Sequence, residues 1–221
     1  MIYAMFPGGF KPPHQGHLKV VESIFKGRNK PDILYIIISK KPRLLIPPFK
    51  KTYQMSEKEI QNISDKYHKK YDKKLLEKDA TDGIIPAITA KEAYDIWKLY
   101  IKLLPDNIQD KIKVYISPFD SPIMFAYTII SKKIEKKDTL ILVKSTKNKE
   151  NKRFELFDAL EKKGAKIIYQ NIPKFDELDS TIARKYIVEK KKNKFYQFLP
   201  KTLSNQNKKL IWDMISSKVG H

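Results

Sequence analysis

The feature of this sequence that most constrains its fold is an unbroken apolar run from Ile33 to Ile38. A strand with one face in water alternates apolar and polar residues, whereas this run is apolar at every position. Strands of this kind lie in the middle of parallel sheets, where helices cover both faces. The run therefore favours an α/β fold built around a buried sheet.

Four further short runs are rich in β-branched and aromatic residues, and amphipathic or charged segments separate them. This alternation is typical of βαβ units. We expect a Rossmann-like, doubly wound, five-stranded parallel sheet in one domain over residues 1–200, followed by a C-terminal helix at 201–221. The five predicted strands are residues 2–6, 33–39, 113–117, 139–143 and 166–169.

Capping boxes mark the start of two predicted helices, because a Ser or Thr is followed three residues later by a Glu. Ser56 and Glu59 open a lysine-rich stretch, and we interpret residues 40–88 as a charged helical insertion. Thr89 and Glu92 open a helix with an apolar stripe that Pro105 ends. The remaining predicted helices are residues 17–25, 121–134, 154–163, 180–190 and 203–219.

The net charge of +20 is of the kind that nucleic-acid-binding proteins carry. Lysine supplies 41 of the 45 basic side chains, and the chain is also rich in Ile, Asn and Tyr, as AT-rich genomes produce. We interpret most of these lysines as a solvated surface. Nucleic-acid binding through this surface stays open as an alternative.

The chain has no cysteine, so disulfides, thiolate nucleophiles and cysteine-based metal sites are excluded. No apolar run approaches the roughly 20 residues that a membrane span needs. The first residues also have no basic segment or cleavage site of a secretion signal. These features predict a cytoplasmic protein that does not bind membranes.

The first predicted strand runs directly into a loop at residues 7–17, with the sequence PGGFKPPHQGH, and then into a helix. Glycines let the backbone approach a ligand, prolines stiffen the loop, and the free N–H groups of a helix N-terminus favour phosphate. His14 and His17 are three residues apart at that helix start, so their side chains point to roughly the same side. This loop predicts a phosphate site in which both imidazoles donate to oxygens of one phosphate chain.

The loop resembles the G-x-F-x-P-x-H-x-G-H signature of the cytidylyltransferase-like nucleotidyltransferases, in their adenylyltransferase branch. All six fixed positions match, at Gly8, Phe10, Pro12, His14, Gly16 and His17. Residues 178–184, with the sequence LDSTIAR, are similar to a second family element, I-S-S-T-x-x-R. Ser180, Thr181 and Arg184 match it, whereas Asp179 stands where the family commonly has Ser or Gly.

This resemblance implies transfer of AMP from ATP to a small phosphate-bearing acceptor such as nicotinamide mononucleotide, with release of pyrophosphate. It implies that Mg²⁺ arrives with the nucleotide, and no set of metal-ligating residues is predicted. His14, His17 and Arg184 would be catalytic. The predicted nucleotide-binding residues are Pro7, Gly8, Gly9, Phe10, Lys11, His14, His17, Lys144, Arg153, Ser180, Thr181 and Arg184. Arg153 is preferred to the nearby lysines because arginine is scarce in this chain and binds phosphate in a bidentate manner.

The acceptor is expected at the carboxyl ends of the strands, beside the switch point of the sheet. Its predicted contacts are Lys40, Lys41, Trp97, Phe119 and Ser121. The sequence also resembles viral or phage proteins of this layout over most of its length, through Ser121-Pro122, Arg153-Phe154 and the F-x-x-x-L-P pattern at residues 195–200. A viral protein of this kind would act in the host cytoplasm.

Two alternatives stay open at this point: a CTP-dependent cytidylyltransferase, and a catalytically silent nucleic-acid-binding protein on the same fold. A P-loop kinase and a Rossmann dehydrogenase are disfavoured, because the sequence lacks G-x-x-x-x-G-K-[ST] and has no G-x-G-x-x-G at its first turn. The sequence does not decide whether the chain forms homo-oligomers.

Overall fold

The computed structural model describes residues 1–145, 151–172 and 178–220. Five strands of this part of the chain form one all-parallel sheet, and two very short strands pair separately. In chain order the strands are β1 Ile2–Gly8, β2 Ile33–Ile38, β3 Arg43–Leu44, β4 Ala87–Ile88, β5 Ile112–Ile116, β6 Thr139–Ser145 and β7 Lys166–Ile172.

Ten α-helices lie within the described residues, together with 3-10 segments at Thr52–Gln54 and Asn151–Phe157. In chain order they are α1 Gln15–Lys26, α2 Glu57–Lys66, α3 Lys73–Thr81, α4 Ala90–Ile101, α5 Asp106–Gln109, α6 Pro122–Ile130, α7 Asp158–Lys162, α8 Ser180–Val188, α9 Lys192–Tyr196 and α10 Asn205–Ser216. None of them is long and apolar enough to cross a membrane.

The central sheet has the strand order β5-β2-β1-β6-β7 and is covered by helices on both faces. The apolar run of β2 explains this arrangement, because alternate residues enter different cores. Leu34 and Ile36 pack with α1 and α4 on one face. Tyr35 and Ile37 pack with α6 on the other. The predicted Rossmann-like, doubly wound fold is therefore confirmed.

The chain leaves β1 in opposite directions across the sheet, first through β2 to β5 and later through β6 to β7. The carboxyl ends of β1 and β6 therefore flank the point where the strand order reverses. In open α/β sheets, this switch point forms the crevice in which ligands bind. The loop at residues 7–17 begins at the end of β1 and borders this crevice.

The segment between β2 and α4 has a hydrophobic core of its own, although its surface is strongly charged. Leu44, Ile60 and Leu76 are buried in this cluster, together with other apolar residues of β3, α2 and α3. β3 and β4 close the segment as an antiparallel pair, with Leu44 opposite Ala87. The insertion is thus a small packed unit with a charged surface.

Both predicted capping boxes are present in the structure. The hydroxyls of Ser56 and Thr89 accept hydrogen bonds from the backbone N–H groups of Glu59 and Glu92, at the starts of α2 and α4. The predicted helix at 154–163 is shorter, because the chain forms a 3-10 segment before α7 begins. The C-terminal helix α10 packs against α4 and α8 and contributes Ile211 and Ile215 to the main core.

Candidate active site

Gly8 and Phe10 determine how the loop at residues 7–17 leaves β1. A Cβ on Gly8 would lie 2.6 Å from the Phe10 ring, so only glycine lets this ring rest on the backbone. The Phe10 ring also packs edge-on against Phe6 and Trp97. It contacts His17 in the same way, with ring centroids 5.0 Å apart. Gly8 and Phe10 of the motif therefore support the ring of His17.

His14 and His17 face each other at the start of α1, as the spacing of the motif predicts. Their rings are stacked, with centroids 3.7 Å apart and an angle of 29° between the planes. The Nδ1 atom of His17 accepts a hydrogen bond of 3.1 Å from the backbone N–H of His14. In a neutral ring with Nδ1 as the acceptor, the proton is on Nε2.

Burial holds the pKa of His17 well below its ordinary value of 6.5, and the neighbouring His14 lowers this pKa further. His17 is therefore neutral at physiological pH and has one N–H group to donate, at Nε2. The Nε2–H group of this neutral ring can donate a hydrogen bond to a phosphate oxygen.

Three successive carbonyl groups of the loop accept hydrogen bonds from side chains of helices α4 and α8. The bonds are Arg184 Nη1 to Lys11 O (2.7 Å), Ser180 Oγ to Pro12 O (3.2 Å) and Tyr100 Oη to Pro13 O (3.1 Å). Ser180 and Arg184, predicted to bind phosphate, thus also hold the loop that presents the two histidines. The role of Tyr100 was not predicted. Its place in the apolar stripe of a helix indicates burial, but it does not indicate which group the hydroxyl binds.

Arg184 is only 5% exposed and has no ion pair with a described carboxylate. Its Nη2 donates to Phe49 O at 3.2 Å and to Thr181 Oγ1 at 3.0 Å. Its Nε has no hydrogen-bond partner within the described ranges. Burial lowers the pKa of Arg184 to about 10, and the charge of Arg43 contributes to this shift.

Lys11 and Arg43 complete a group of three cations that we call the cationic cluster, Lys11, Arg43 and Arg184. Lys11 is 1% exposed, and its Nζ donates to Gly9 O at 3.1 Å and Ser39 O at 2.5 Å. Burial holds the pKa of Lys11 well below its ordinary value, and Arg43 lowers it further. Burial also lowers the pKa of Arg43.

Arg43 reaches the motif loop from β3 in the insertion. A Cβ on Gly9 would lie 3.5 Å from its Nη2. Glu77 limits the lowering of the pKa of Arg43, and Asp179 limits that of Arg184, so these carboxylates offset part of the positive charge. A bound anion would offset the rest, and guanidinium groups match phosphate oxygens well.

Sequence reasoning missed Arg43, although the scarcity of arginine that favoured Arg153 applies to it equally. The side chain of Arg153 lies outside the described part of the structure.

Asp179, the residue that departs from the family pattern, caps the N-terminus of α8. Its carboxylate accepts a hydrogen bond of 2.6 Å from the backbone N–H of Thr181. The Thr181 amide therefore has an acceptor within the protein. Thr181 still presents its hydroxyl to Arg184, at 3.0 Å.

Four of the five predicted acceptor residues lie at the neighbouring ends of β2 and β5, whereas Trp97 lies apart from them in the core. Lys40 and Lys41 each lie 3.0 Å from the Asp120 carboxylate, so their charges are partly compensated. Trp97 is fully buried against Phe10, and therefore its ring is not accessible to a ligand in this conformation.

The other two predicted acceptor residues lie after β5. Phe119 presents an exposed ring there, whereas the Ser121 hydroxyl caps α6 by accepting from Met124 N–H. Lys144 lies at the end of β6, with its Nζ 4.7 Å from the centre of the Tyr169 ring.

Among the described residues, no group of three or more His, Asp or Glu side chains could hold a metal ion. No protein-family model and no curated protein match this chain. The features of the described residues that bear on function are therefore the two histidines, the cationic cluster and the switch point beside them.

Proposed function

We propose that this protein is a nucleotidyltransferase that transfers AMP from ATP to a small phosphate-bearing acceptor, such as nicotinamide mononucleotide, and releases pyrophosphate. The observation that carries this proposal is the placement of the cationic cluster beside the stacked pair His14 and His17, at the carboxyl end of β1. Such a site suits a ligand with several negative charges in a row, as a triphosphate has.

The proposed reaction is a direct in-line displacement. An oxygen of the acceptor phosphate attacks the α-phosphorus of ATP, and the bond from that phosphorus to the oxygen bridging to the β-phosphate breaks. Pyrophosphate leaves with the electron pair of that bond. Because the acceptor already carries a negative oxygen, the protein needs no covalent nucleophile, and its work is positioning and charge stabilisation.

Each group of the site has a role in this proposal. His17 donates Nε2–H to an oxygen of the α-phosphate, and His14 supports the same phosphate from the adjacent ring. Arg43 and Arg184 hold the charge of the departing pyrophosphate, and Lys11 adds its charge from beneath the loop. Mg²⁺ would be held by phosphate oxygens and water rather than by a protein cage, and its chemistry would be to neutralise the phosphate chain.

Pyrophosphate release, measured with ATP or CTP against a panel of phosphate-bearing acceptors, tests the proposal. We expect release with ATP and at least one acceptor, and loss of that release in His17→Asn. Release with CTP alone would assign the protein to the cytidylyltransferases. A protein that binds no triphosphate and releases no pyrophosphate with any acceptor would overturn the proposed function.

A further inference from the structure

Seven lysines lie together at the opposite end of the sheet, on or directly beside the turns that precede β6 and β7. We call this surface the lysine face; its members are Lys132, Lys133, Lys136, Lys137, Lys162, Lys163 and Lys166, and all seven are exposed. The two turns touch, because Lys137 N–H donates to Gly164 O at 3.0 Å. A Cβ on Gly164 would also lie 2.9 Å from Lys136 Cγ.

No direct ion pair neutralises a lysine of this face within the described residues, although Glu135 and Glu161 are exposed beside them in the sequence. None of the seven lysines forms an ion pair with a carboxylate in the described part of the chain, whereas Lys69 pairs with Asp79 and Lys91 with Asp95 elsewhere. The carboxylate of Asp138, the acidic residue closest in sequence to Lys137, is turned inward. It binds the N-terminal ammonium group and accepts a hydrogen bond of 2.9 Å from Glu135 N–H.

Exposed basic side chains continue across the amino edge of the sheet. Arg28 and Lys30 are exposed just before β2, and Lys111 is exposed just before β5. Asp32, which could offset them, accepts a hydrogen bond of 2.8 Å from Ile2 N–H. Asp138 is paired with the N-terminal ammonium group, whereas Asp32 keeps its charge because its partner is a neutral backbone N–H. The basic side chains of this edge face solvent.

The lysine face is separate from the candidate active site. β1 has seven residues, so the two ends of the sheet are about 20 Å apart at roughly 3.3 Å per residue. A substrate in the crevice at the carboxyl ends of the strands would therefore not contact these lysines.

A row of exposed lysines without arginine suits the phosphate backbone of nucleic acid more than its bases, because lysine acts as a point charge and arginine reads base edges in bidentate fashion. Membrane-surface sites combine basic residues with large apolar side chains. At this edge, Met1 is the one large hydrophobic side chain that is exposed among the described residues. We propose that the lysine face binds nucleic acid through its phosphate backbone, without sequence preference.

The test compares two variants of the full chain that lose the same charge. One replaces Lys132, Lys133, Lys136 and Lys137 with Gln, and the other replaces Lys58, Lys70, Lys73 and Lys74, four exposed lysines of the insertion. Binding to a short mixed-sequence DNA duplex is measured as a function of salt concentration. Gln keeps the β- and γ-carbons of each side chain, so the contact of Lys136 with Gly164 is preserved.

We expect the wild-type protein to bind the duplex more weakly as salt rises. Loss of four phosphate contacts should reduce the slope of log K against log salt by about 3 to 4 in the first variant, since each contact contributes about 0.9. The insertion variant should keep the wild-type slope, and so should His17→Asn, whose effect would be confined to pyrophosphate release.

Three outcomes would overturn the inference. Equal losses in the two lysine variants would mean that the charge of the whole surface acts diffusely. Failure of the wild-type protein to bind the DNA duplex at low salt would show that nucleic acid is not the partner of the lysine face. If the first variant lost binding to vesicles of anionic lipid and kept its binding to DNA, the lysine face would be a membrane-surface site instead.

Discussion

The Nδ1 atom of His17 accepts the backbone N–H of His14 at 3.1 Å, while the two imidazole rings stack at 3.7 Å. One hydrogen bond therefore caps helix α1 and also fixes the tautomer of His17. The Nδ1 atom of His17 supports the structure, whereas the Nε2 atom of the same ring is the donor in the proposed chemistry. This separation allows the two roles to be tested independently.

Replacing His17 with Asn should remove the proposed chemistry and spare the fold. The Asn side-chain oxygen can accept the His14 N–H in place of Nδ1, whereas nothing replaces the Nε2–H donor. We expect pyrophosphate release to fall about 100- to 1,000-fold, as when one donor to a developing negative charge is removed. His68→Asn, at an exposed histidine of the insertion, is the matched control and should leave the rate unchanged. Equal rates in wild type and His17→Asn would contradict the assigned role.

The low pKa of His17 predicts how stability depends on pH. The pKa of this ring is lower in the folded protein than in the unfolded chain, where it is about 6.5. As pH falls below about 6.5, the unfolded chain therefore binds a proton that the folded protein does not, and the free energy of unfolding decreases. Urea unfolding of wild type and His17→Asn across this range measures the effect. The variant should show a weaker decrease, and parallel curves would argue against a depressed pKa.

Arg43 should govern the affinity for phosphate compounds. Removing its charge with Arg43→Met should weaken the binding of ATP or pyrophosphate about tenfold or more, since hydrogen bonds to charged groups contribute about 1.5–3 kcal/mol. Thermal unfolding with and without ligand, or calorimetric titration, measures this change. Arg28→Met, at an exposed arginine far from the motif loop, provides the comparison. An equal loss in both variants would mean that general charge, rather than this site, attracts the anion.

Tyr100 should stabilise the loop through its hydroxyl group. In Tyr100→Phe the buried Pro13 carbonyl loses its 3.1 Å hydrogen bond, which should cost about 1–3 kcal/mol of stability. Hydrogen exchange at the His14 and Gln15 amides should quicken, because the loop is less firmly held. Tyr94→Phe, about one and a half turns earlier on α4, is the control, because it removes a hydroxyl that does not bind the Pro13 carbonyl. Unchanged exchange in Tyr100→Phe would show that Arg184 and Ser180 hold the loop without it.

The sheet and the histidine pair could be predicted because their signals are local. The apolar run of β2 requires cover on both faces, and the spacing of His14 and His17 is fixed by the turn of one helix. Ser56 and Thr89 identify helix starts by bonds that span three residues. Each of these inferences depends on neighbours in the chain rather than on packing between distant segments.

Arg43 and the pairing of β3 with β4 could not be predicted in the same way. The two strands have only two residues each and are separated by the whole insertion, so neither shows a periodicity of its own. The approach of Arg43 to Gly9 depends on that pairing. Similarly, the Lys40 and Lys41 contacts with Asp120 depend on β2 and β5 ending side by side, which the sequence alone does not specify.

The guanidinium of Arg184 bonds to the Lys11 carbonyl in the loop and to the Phe49 carbonyl in the insertion. Arg184 therefore binds the insertion and also stabilises the loop that carries the two histidines. A shortened chain lacking residues 40–88 would remove Phe49, one of the two acceptors of the Arg184 Nη2 group, and would also delete Arg43. Trimming the protein to its sheet and covering helices would therefore be expected to loosen the histidine loop, although neither histidine would have been touched.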